Sequence, residues 1–374
     1  MARNAKQPAG RQVPAKKTKA KKKSKVIIFA VEILVLAVLL GALWLLRDFG
    51  NKPENSTGRG PTILDVDFKE EDIAINEQVI ENEHMEGYRN IALFGVDSRT
   101  GQLAKGTLSD CIIIASINQD TGDVKLVSVY RDTYLNLSND KYGKCNSAYS
   151  YGGAEQALKM LNMNLDLNIK EFVTVGFEGL TATVDALGGV YLDVDSEELK
   201  HINSYQKCMA EDMKISWTPV EETGYQLLNG LQATAYCRIR YRSGNDFARA
   251  AAQREVIQAI ADTAKKADAS TLVKVANDVS GYVYTSFSLD EIIGLLGDIT
   301  KYNIVAEEGF PKSDMRGSDT LGSKGSCVYP IDLDDNVKWL HEFLFNDMNY
   351  EPSDEVKECS KEVRRFVSQY VTLP

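Results

Sequence analysis

The stretch LVSVYRDTYLNL, residues 126–137, decides how the rest of the chain reads. Leu126, Val127, Val129 and Tyr130 form a strand bound for a core, and the strand stops on Arg131-Asp132-Thr133. Upstream, NIALFG (90–95) and CIIIASI (111–117) have the same apolar texture, and NQDTGD (118–123) turns tightly into the third strand. These runs lack strict alternation, the pattern of strands covered on both faces. The first strand ends in Gly95-Val96-Asp97-Ser98-Arg99, and Leu108-Ser109-Asp110 opens the second. Adjacent antiparallel strands bring those termini to one edge. Asp97, Arg99, Asp110, Arg131 and Asp132 are therefore expected to converge at a sheet rim, where α/β folds place their ligands.

Downstream, strand and helix patterns alternate. SYGGAEQALKMLNMNL (150–165) has helical spacing, EFVTVGF (171–177) reads as a strand, EGLTATVDALGG as a helix with a glycine stop, and VYLDV (190–194) as a short strand. LNGLQATAYCRIR (228–240), FARAAAQREVIQAIADTAKKA (247–267), SLDEIIGLLGDI (288–299) and DDNVKWLHEFLF (334–345) predict further helices. The expected fold is α/β, a layered α-β-α domain with a central mixed sheet, occupying residues 88–374 without a second boundary.

The N-terminal part has another character. The chain carries a formal charge of -10, yet residues 1–25 hold ten Lys or Arg and no acid, so the remainder carries -20. VIIFAVEILVLAVLLGALWLL, residues 26–46, follows directly. At about 1.5 Å per residue it spans roughly 31 Å, the thickness of a bilayer's hydrocarbon core. Signal-peptide cores run only about 7–15 residues and precede a small-residue cleavage site, so an uncleaved transmembrane helix is expected. The positive-inside rule puts the tail (1–25) in the cytoplasm and the bulk outside. A basic run abutting an apolar span is a topology signal, and no nucleic-acid partner is expected. Glu32 lies about two turns from the basic edge, where it can snorkel. Residues 47–87 read as linker and stalk: 48–62 are rich in Gly, Pro and Asn, and 63–86 are acidic and weakly patterned. The six cysteines include no CxxC and His occurs three times, which argues against zinc. Disulfides are permitted outside the cell, and Cys327 with Cys359, flanking one helical segment, is the pair considered.

A second basic cluster lies at Arg238-Ile239-Arg240-Tyr241-Arg242, followed by Gly244-Asn245-Asp246-Phe247-Ala248-Arg249 and Gln253-Arg254. Arg238 and Arg240 share a face if that segment is extended. Guanidinium groups recognise phosphate with two parallel hydrogen bonds. Carboxylates beside them suit a hard octahedral cation such as Mg²⁺, so the combination points to phosphoryl chemistry. Singly, each such pair is equally suited to tying strand ends together.

The ordered blocks NIALFGVDSR, LSDCIIIASINQDTGDVKLVSVYRDTYL, KCNSAYSYGGAEQAL, VGFEGLTATVDALGGVYLDV and GLQATAYCRIRYRSGNDFARAAAQREVI resemble the LytR-CpsA-Psr family. The resemblance is close over residues 88–260 and extends to the basic tail and single span. It implies a Mg²⁺-dependent phosphotransferase that moves a glycan phosphate from undecaprenyl pyrophosphate to a peptidoglycan hydroxyl, as in ligation of teichoic acid or capsule to the cell wall. By motif match it implies metal or acid/base roles for Asp97 and Asp110, and a catalytic role for Arg131. Pyrophosphate binding falls to Arg99, Arg131, Arg238, Arg240 and Arg249, joined by Lys144, Asp246 and Gln253. Asp132 would orient neighbouring arginines. A trough for the lipid would draw on EGLTATVDALGGVYL or EQALKMLNMNL, although from the letters alone plain core is the better reading of both. Three letters depart from the family's pattern. Tyr130 stands where proline is frequent, Leu108 where arginine is usual, with Lys105 or Arg242 as substitutes, and Ala248 replaces a glycine. Two alternatives use the same residues: a hydrolase of lipid pyrophosphate, and a non-catalytic, membrane-tethered binder or sensor of lipid-linked glycan. The second has no need of both Asp97 and Asp110.

Overall fold

The computed structural model describes residues 62–63, 68–98, 102–139, 141–240 and 245–374. The basic tail, the apolar segment 26–46 with Glu32, most of the linker, Arg99 and Arg242 lie outside the described residues. Among the described residues no helix is long and apolar enough to cross a membrane.

The chain runs through β1 (Thr62–Ile63), α1 (Glu77–Ile80), β2 (Tyr88–Val96), β3 (Ser109–Asn118), β4 (Asp123–Val129), β5 (Tyr134–Asn136), β6 (Tyr142–Lys144) and α2 (Asn146–Leu165). It continues through β7 (Glu171–Val175), α3 (Phe177–Ala186), β8 (Val190–Val194), α4 (Ser196–Met213), β9 (Gly224–Leu228), α5 (Gly230–Arg238) and α6 (Asn245–Ala264). Then come α7 (Ala269–Ser280), β10 (Val283–Thr285), α8 (Leu289–Gly297), β11 (Asn303–Phe310), β12 (Arg316–Thr320), β13 (Ser326–Pro330), α9 (Leu333–Phe345) and α10 (Asp354–Val367). Among the described residues seven strands form one mixed sheet, in the order β1-β10-β7-β2-β3-β4-β11. β2, β3 and β4 are antiparallel neighbours, while β7 joins β2 and β11 joins β4 in parallel.

Both faces of this sheet are covered, as the apolar runs require. Phe94, Ile112, Ile114, Val127 and Val129 face α2, α9 and α10. Ile91, Ile113, Ile117, Val124 and Leu126 face Ile257 of α6 and Ile292 and Leu295 of α8. The layered α-β-α reading therefore holds. At the β3–β4 turn the Asn118 side chain accepts hydrogen bonds from the amides of Asp120 and Thr121, the side-chain device that closes tight turns.

Local signals were incomplete in three places. The described part of residues 63–86, expected as a stalk, is built into the domain, with Ile73, Val79 and Met85 buried in the main core. Exposed Glu71, Asp72 and Glu77 mask that sparse apolar pattern. Cys327 and Cys359 are free thiols, as are the other four cysteines. They sit in different apolar clusters, and Cys359 accepts instead from Asn136 Nδ2 at 3.6 Å. The segment EQALKMLNMNL is plain core: Ala157, Leu158, Met160, Leu161 and Leu165 are fully buried.

His341 on α9 illustrates what the core demands. Its ring stacks on Tyr350 at 3.5 Å, and its Nε2 donates to the Leu165 carbonyl at 3.1 Å. Burial pushes the imidazole down to about 4, although the Leu165 carbonyl, Asp166 and Asp347 pull the other way. The unfolded chain takes up this proton near pH 6.5 and the folded chain only near 4. Stability from this group is therefore complete above pH 6.5 and is lost as pH falls through that window, by about 3 kcal/mol. Chemical denaturation across pH 4–7 should show that loss, and His341→Gln, which keeps a donor but does not titrate, should remove it. Identical slopes for both proteins would refute the assignment.

Candidate active site at the sheet rim

Strand ends build the site. Gly95 pairs with Cys111 and Val96 with Ser109, so Asp110 is the extra residue of a β-bulge. A bulge breaks the two-residue alternation and re-aims the extra side chain. Asp110 thereby lines the same cavity as Asp97, which lies one residue beyond β2. β4 ends at the same edge, and Arg131 Nη1 donates to Asp110 Oδ1 at 2.6 Å.

The second basic cluster arrives on α5 and α6. A capping box starts α5: the Asn229 side chain accepts from the Gln232 amide, and the Gln232 side chain accepts from the Asn229 amide. A Cβ on Gly230 would lie 2.1 Å from the Thr181 carbonyl, so only glycine lets α5 settle this closely on α3. The helix stops at Arg238, Ile239 is extended, and Arg238 and Arg240 both line the cavity. Arg240 Nη2 reaches Asp110 Oδ2 at 3.5 Å. Arg238 lies over the Phe177 ring at 4.0 Å. On the first turn of α6, Asp246 pairs with Arg249 at 2.8 Å and with Arg131 at 3.7 Å.

Asp132 completes the network from outside the cavity. It pairs with Lys144 at 3.2 Å and shares a hydrogen bond with Asp246. Burial pushes the Asp132 carboxyl up beyond what Arg131 takes back, and Asp246 adds to the rise. Asp246 is also raised by burial, but Arg249 and Arg131 outweigh this and leave it below the ordinary value. Of the two, Asp132 is the one that takes up a proton more readily. Asp132 also lies 3.9 Å from Arg131 Nε.

The cavity measures about 550 Å³ and its lining is of two kinds. Asp97, Asp110, Arg238, Arg240, Arg249 and Gln253 supply the polar part. Val175, Phe177, Leu180, Val256, Ile257 and Ile260 supply the apolar part. Of the two candidate trough segments, EGLTATVDALGGVYL contributes, through Leu180 and Thr183. Arg131, Lys144 and Asp246 do not line the cavity; they hold its wall through Asp110, Asp132 and Arg249. Nor does Lys105 replace the arginine missing at position 108, since both Lys105 and Leu108 are exposed and outside the lining. Sequence reading missed Tyr205 of α4 and Ile257 and Ile260 of α6 as lining residues. Their apolar letters look like any helix core. Cys111 also lines the cavity, but burial pushes its thiol up to about 12, so no thiolate nucleophile is available near neutral pH.

The donor set can be compared with what a metal needs. Among the described residues no group of three or more His, Cys, Asp or Glu is arranged to hold an ion. Mg²⁺ is commonly bound through one or two carboxylates plus substrate phosphates and water, and Asp97 and Asp110 in one cavity fit that requirement.

The profile of the LytR_cpsA_psr family matches residues 63–340. The chain belongs to this family. Among its relatives, the polyisoprenyl-teichoic acid–peptidoglycan teichoic acid transferase TagV of Bacillus subtilis is 26% identical over 271 residues, covering 70% of this chain and 65% of the relative. The corresponding transferase TagU of Oceanobacillus iheyensis is 30% identical over 215 residues, covering 55% of this chain and 61% of the relative. The chain thus spans less than two thirds of these relatives' length. Among solved structures, B. subtilis TagV superposes with a TM-score of 0.56 at 24% identity, covering 71% of this chain and 99% of that one. TagT with bound octaprenyl pyrophosphate lipid gives 0.53 at 21% identity, covering 79% of this chain and all of that one. At these identities the likeness establishes the fold.

Proposed function

We propose that this member of the LytR_cpsA_psr family is a membrane-anchored phosphotransferase. It moves a glycopolymer phosphate from an undecaprenyl-pyrophosphate carrier to a peptidoglycan hydroxyl. The observation that carries the reading is a cavity lined both by a cluster of arginines and by apolar side chains. A lipid pyrophosphate needs both, side by side: guanidinium donors for the phosphates and a dry trough for the first isoprenoid units. Relatives named as teichoic acid transferases, and a shared fold that in TagT holds a polyprenyl pyrophosphate, support the same reading.

In the proposed reaction the acceptor hydroxyl oxygen forms a bond to the sugar-linked phosphorus. The bond from that phosphorus to the lipid phosphate breaks, lipid phosphate leaves, and the hydroxyl proton is released. Arg238, Arg240 and Arg249 meet the pyrophosphate oxygens, with Gln253 beside them. Arg131 holds Asp110 toward the cavity, and Lys144 and Asp132 hold Arg131 and Asp246. Arg238, Arg240 and Arg249 share the cavity with Asp97 and Asp110. The two carboxylates repel a pyrophosphate diester, which carries two negative charges, and a divalent cation between them and the phosphates would offset that repulsion. Mg²⁺, held by Asp97 and Asp110, would be that cation. Arg99 completes the arginine set by motif.

The apolar span 26–46, outside the described residues, would tether the domain on the outer face of the membrane, where the carrier lipid presents its head group. Full-length protein in detergent micelles with Mg²⁺ and a synthetic polyprenyl-pyrophosphate-linked glycan should release polyprenyl phosphate. Release should accelerate with a peptidoglycan acceptor, and the glycan phosphate should appear on that acceptor. Release at the same rate with and without acceptor, with no product on it, would instead indicate a hydrolase. Absence of any release would refute the enzymatic reading.

A further inference from the structure

We infer that Arg316, on β12, is a positioning residue: it pins the end of β4 to the start of α6 and so sets the spacing of the active-site charges. The inference rests on the functional reading above. The Arg316 guanidinium carbon lies 3.8 Å from the centre of the Phe247 ring and 4.9 Å from that of Tyr130. The two rings meet edge to face at 4.6 Å. Arg316 Nη1 also donates to the Tyr130 hydroxyl at 3.1 Å and to the Pro311 carbonyl at 3.2 Å. Tyr130 immediately precedes Arg131, and Phe247 immediately follows Asp246. Arg131 and Asp246 are themselves only 3.7 Å apart. One side chain therefore grips both neighbours of a charge pair whose members lie more than a hundred residues apart.

Three further observations support the assignment. The hairpin carrying Arg316 is fixed to the same strand end, because the Val328 amide donates to the Asp132 carbonyl at 3.0 Å and Val328 bridges Thr133. Among the described residues Arg316 pairs with no carboxylate, so its charge is directed at the rings and at oxygen acceptors. Tyr130, finally, is made for this joint. Its amide donates to the Phe310 carbonyl at 3.0 Å, and its hydroxyl lies where a Cβ on Gly309 would come within 1.9 Å. Proline at this position would supply neither the amide, nor the ring, nor the hydroxyl.

Displacing a reacting group by about 1 Å can cost on the order of 100-fold in rate. The test uses full-length protein in detergent micelles, with the same synthetic glycan-linked polyprenyl pyrophosphate, and compares wild type, Arg316→Met and Arg316→Lys. Arg316→Met keeps the apolar stem and removes the charge. It should lower kcat about 10- to 100-fold with KM within about twofold and Tm nearly unchanged, and Arg316→Lys should recover a substantial part of kcat. Amide hydrogen exchange should rise about tenfold over residues 246–250 and 131–133 in Arg316→Met, and stay unchanged over residues 154–165 of α2. Unchanged kcat with unchanged exchange would overturn the inference, and so would a loss of Tm with exchange raised throughout. If wild type itself releases no lipid phosphate, the functional reading fails on its own, and the exchange pattern alone then decides whether Arg316 pins the joint.

Discussion

Arg131→Ala should reduce polyprenyl-phosphate release on the order of 100-fold while the protein stays folded, the scale expected when a reacting group loses its support and shifts by about 1 Å. Arg131 Nη1 is the 2.6 Å partner of Asp110, and its Nε lies 3.7 Å from Asp246. Without it the bulge carboxylate loses its closest cation, and among the described residues Asp110 keeps Arg240 and Asp246 keeps Arg249 as ion-pair partners. Burial works against the guanidinium charge, yet Asp110 and Asp132 raise its pKa overall, so it is charged at every accessible pH. The ion pairs at this rim are partly solvated, and such pairs contribute about 1 kcal/mol or less each. Loss of activity should therefore far exceed loss of stability. Asp97→Ala should have an effect of the same order, through the carboxylate rather than the guanidinium. The measurement is initial rate with Mg²⁺ alongside thermal unfolding; wild-type rates in both variants would remove Asp97 and Arg131 from the catalytic assignment.

Filling the apolar part of the cavity should separate lipid from phosphate recognition. Leu180→Trp places an indole on the α3 wall of the cavity. Displacing one five-carbon isoprenoid unit removes burial worth about 0.8 kcal/mol per carbon. A detergent reference is itself apolar and the lipid can shift, so about half of that sum, roughly 2 kcal/mol, should reach the affinity, or about 30-fold. Binding of a polyprenyl pyrophosphate should weaken by that factor, whereas inorganic pyrophosphate, held by the arginines, should bind as before within about twofold. Equal weakening of both ligands would mean that the apolar part of the cavity is ordinary helix core.

Much of this architecture was legible in local patterns. Strands 90–95, 111–117 and 124–130 were readable because apolar residues dominate both of their faces, and a strand covered on both sides leaves no other arrangement. The convergence of Asp97, Asp110 and Arg131 followed from antiparallel connectivity alone. The α5 helix was legible in LNGLQATAYCRIR (228–240), although that segment also takes in Leu228 of β9 and the extended Ile239. By contrast β11, a parallel edge strand with alternating half-exposed residues, gave no apolar run to read. The N-terminal segment around Ile73 and Val79 was hidden by its acids.

The chain's letters by themselves determined the layered fold, the rim on which charges gather, and the clustering of arginines there, because these depend on periodicity and residue chemistry within short windows. The tertiary structure alone decided which charge meets which. It put Asp110 into a bulge facing the cavity, left Arg131 and Lys144 bracing the wall, joined Asp132 to Asp246, and brought Arg316 across to Tyr130 and Phe247. Those partners are separated by tens to hundreds of residues. Their distances are set by how helices and hairpins pack on the sheet, and no local spacing encodes that.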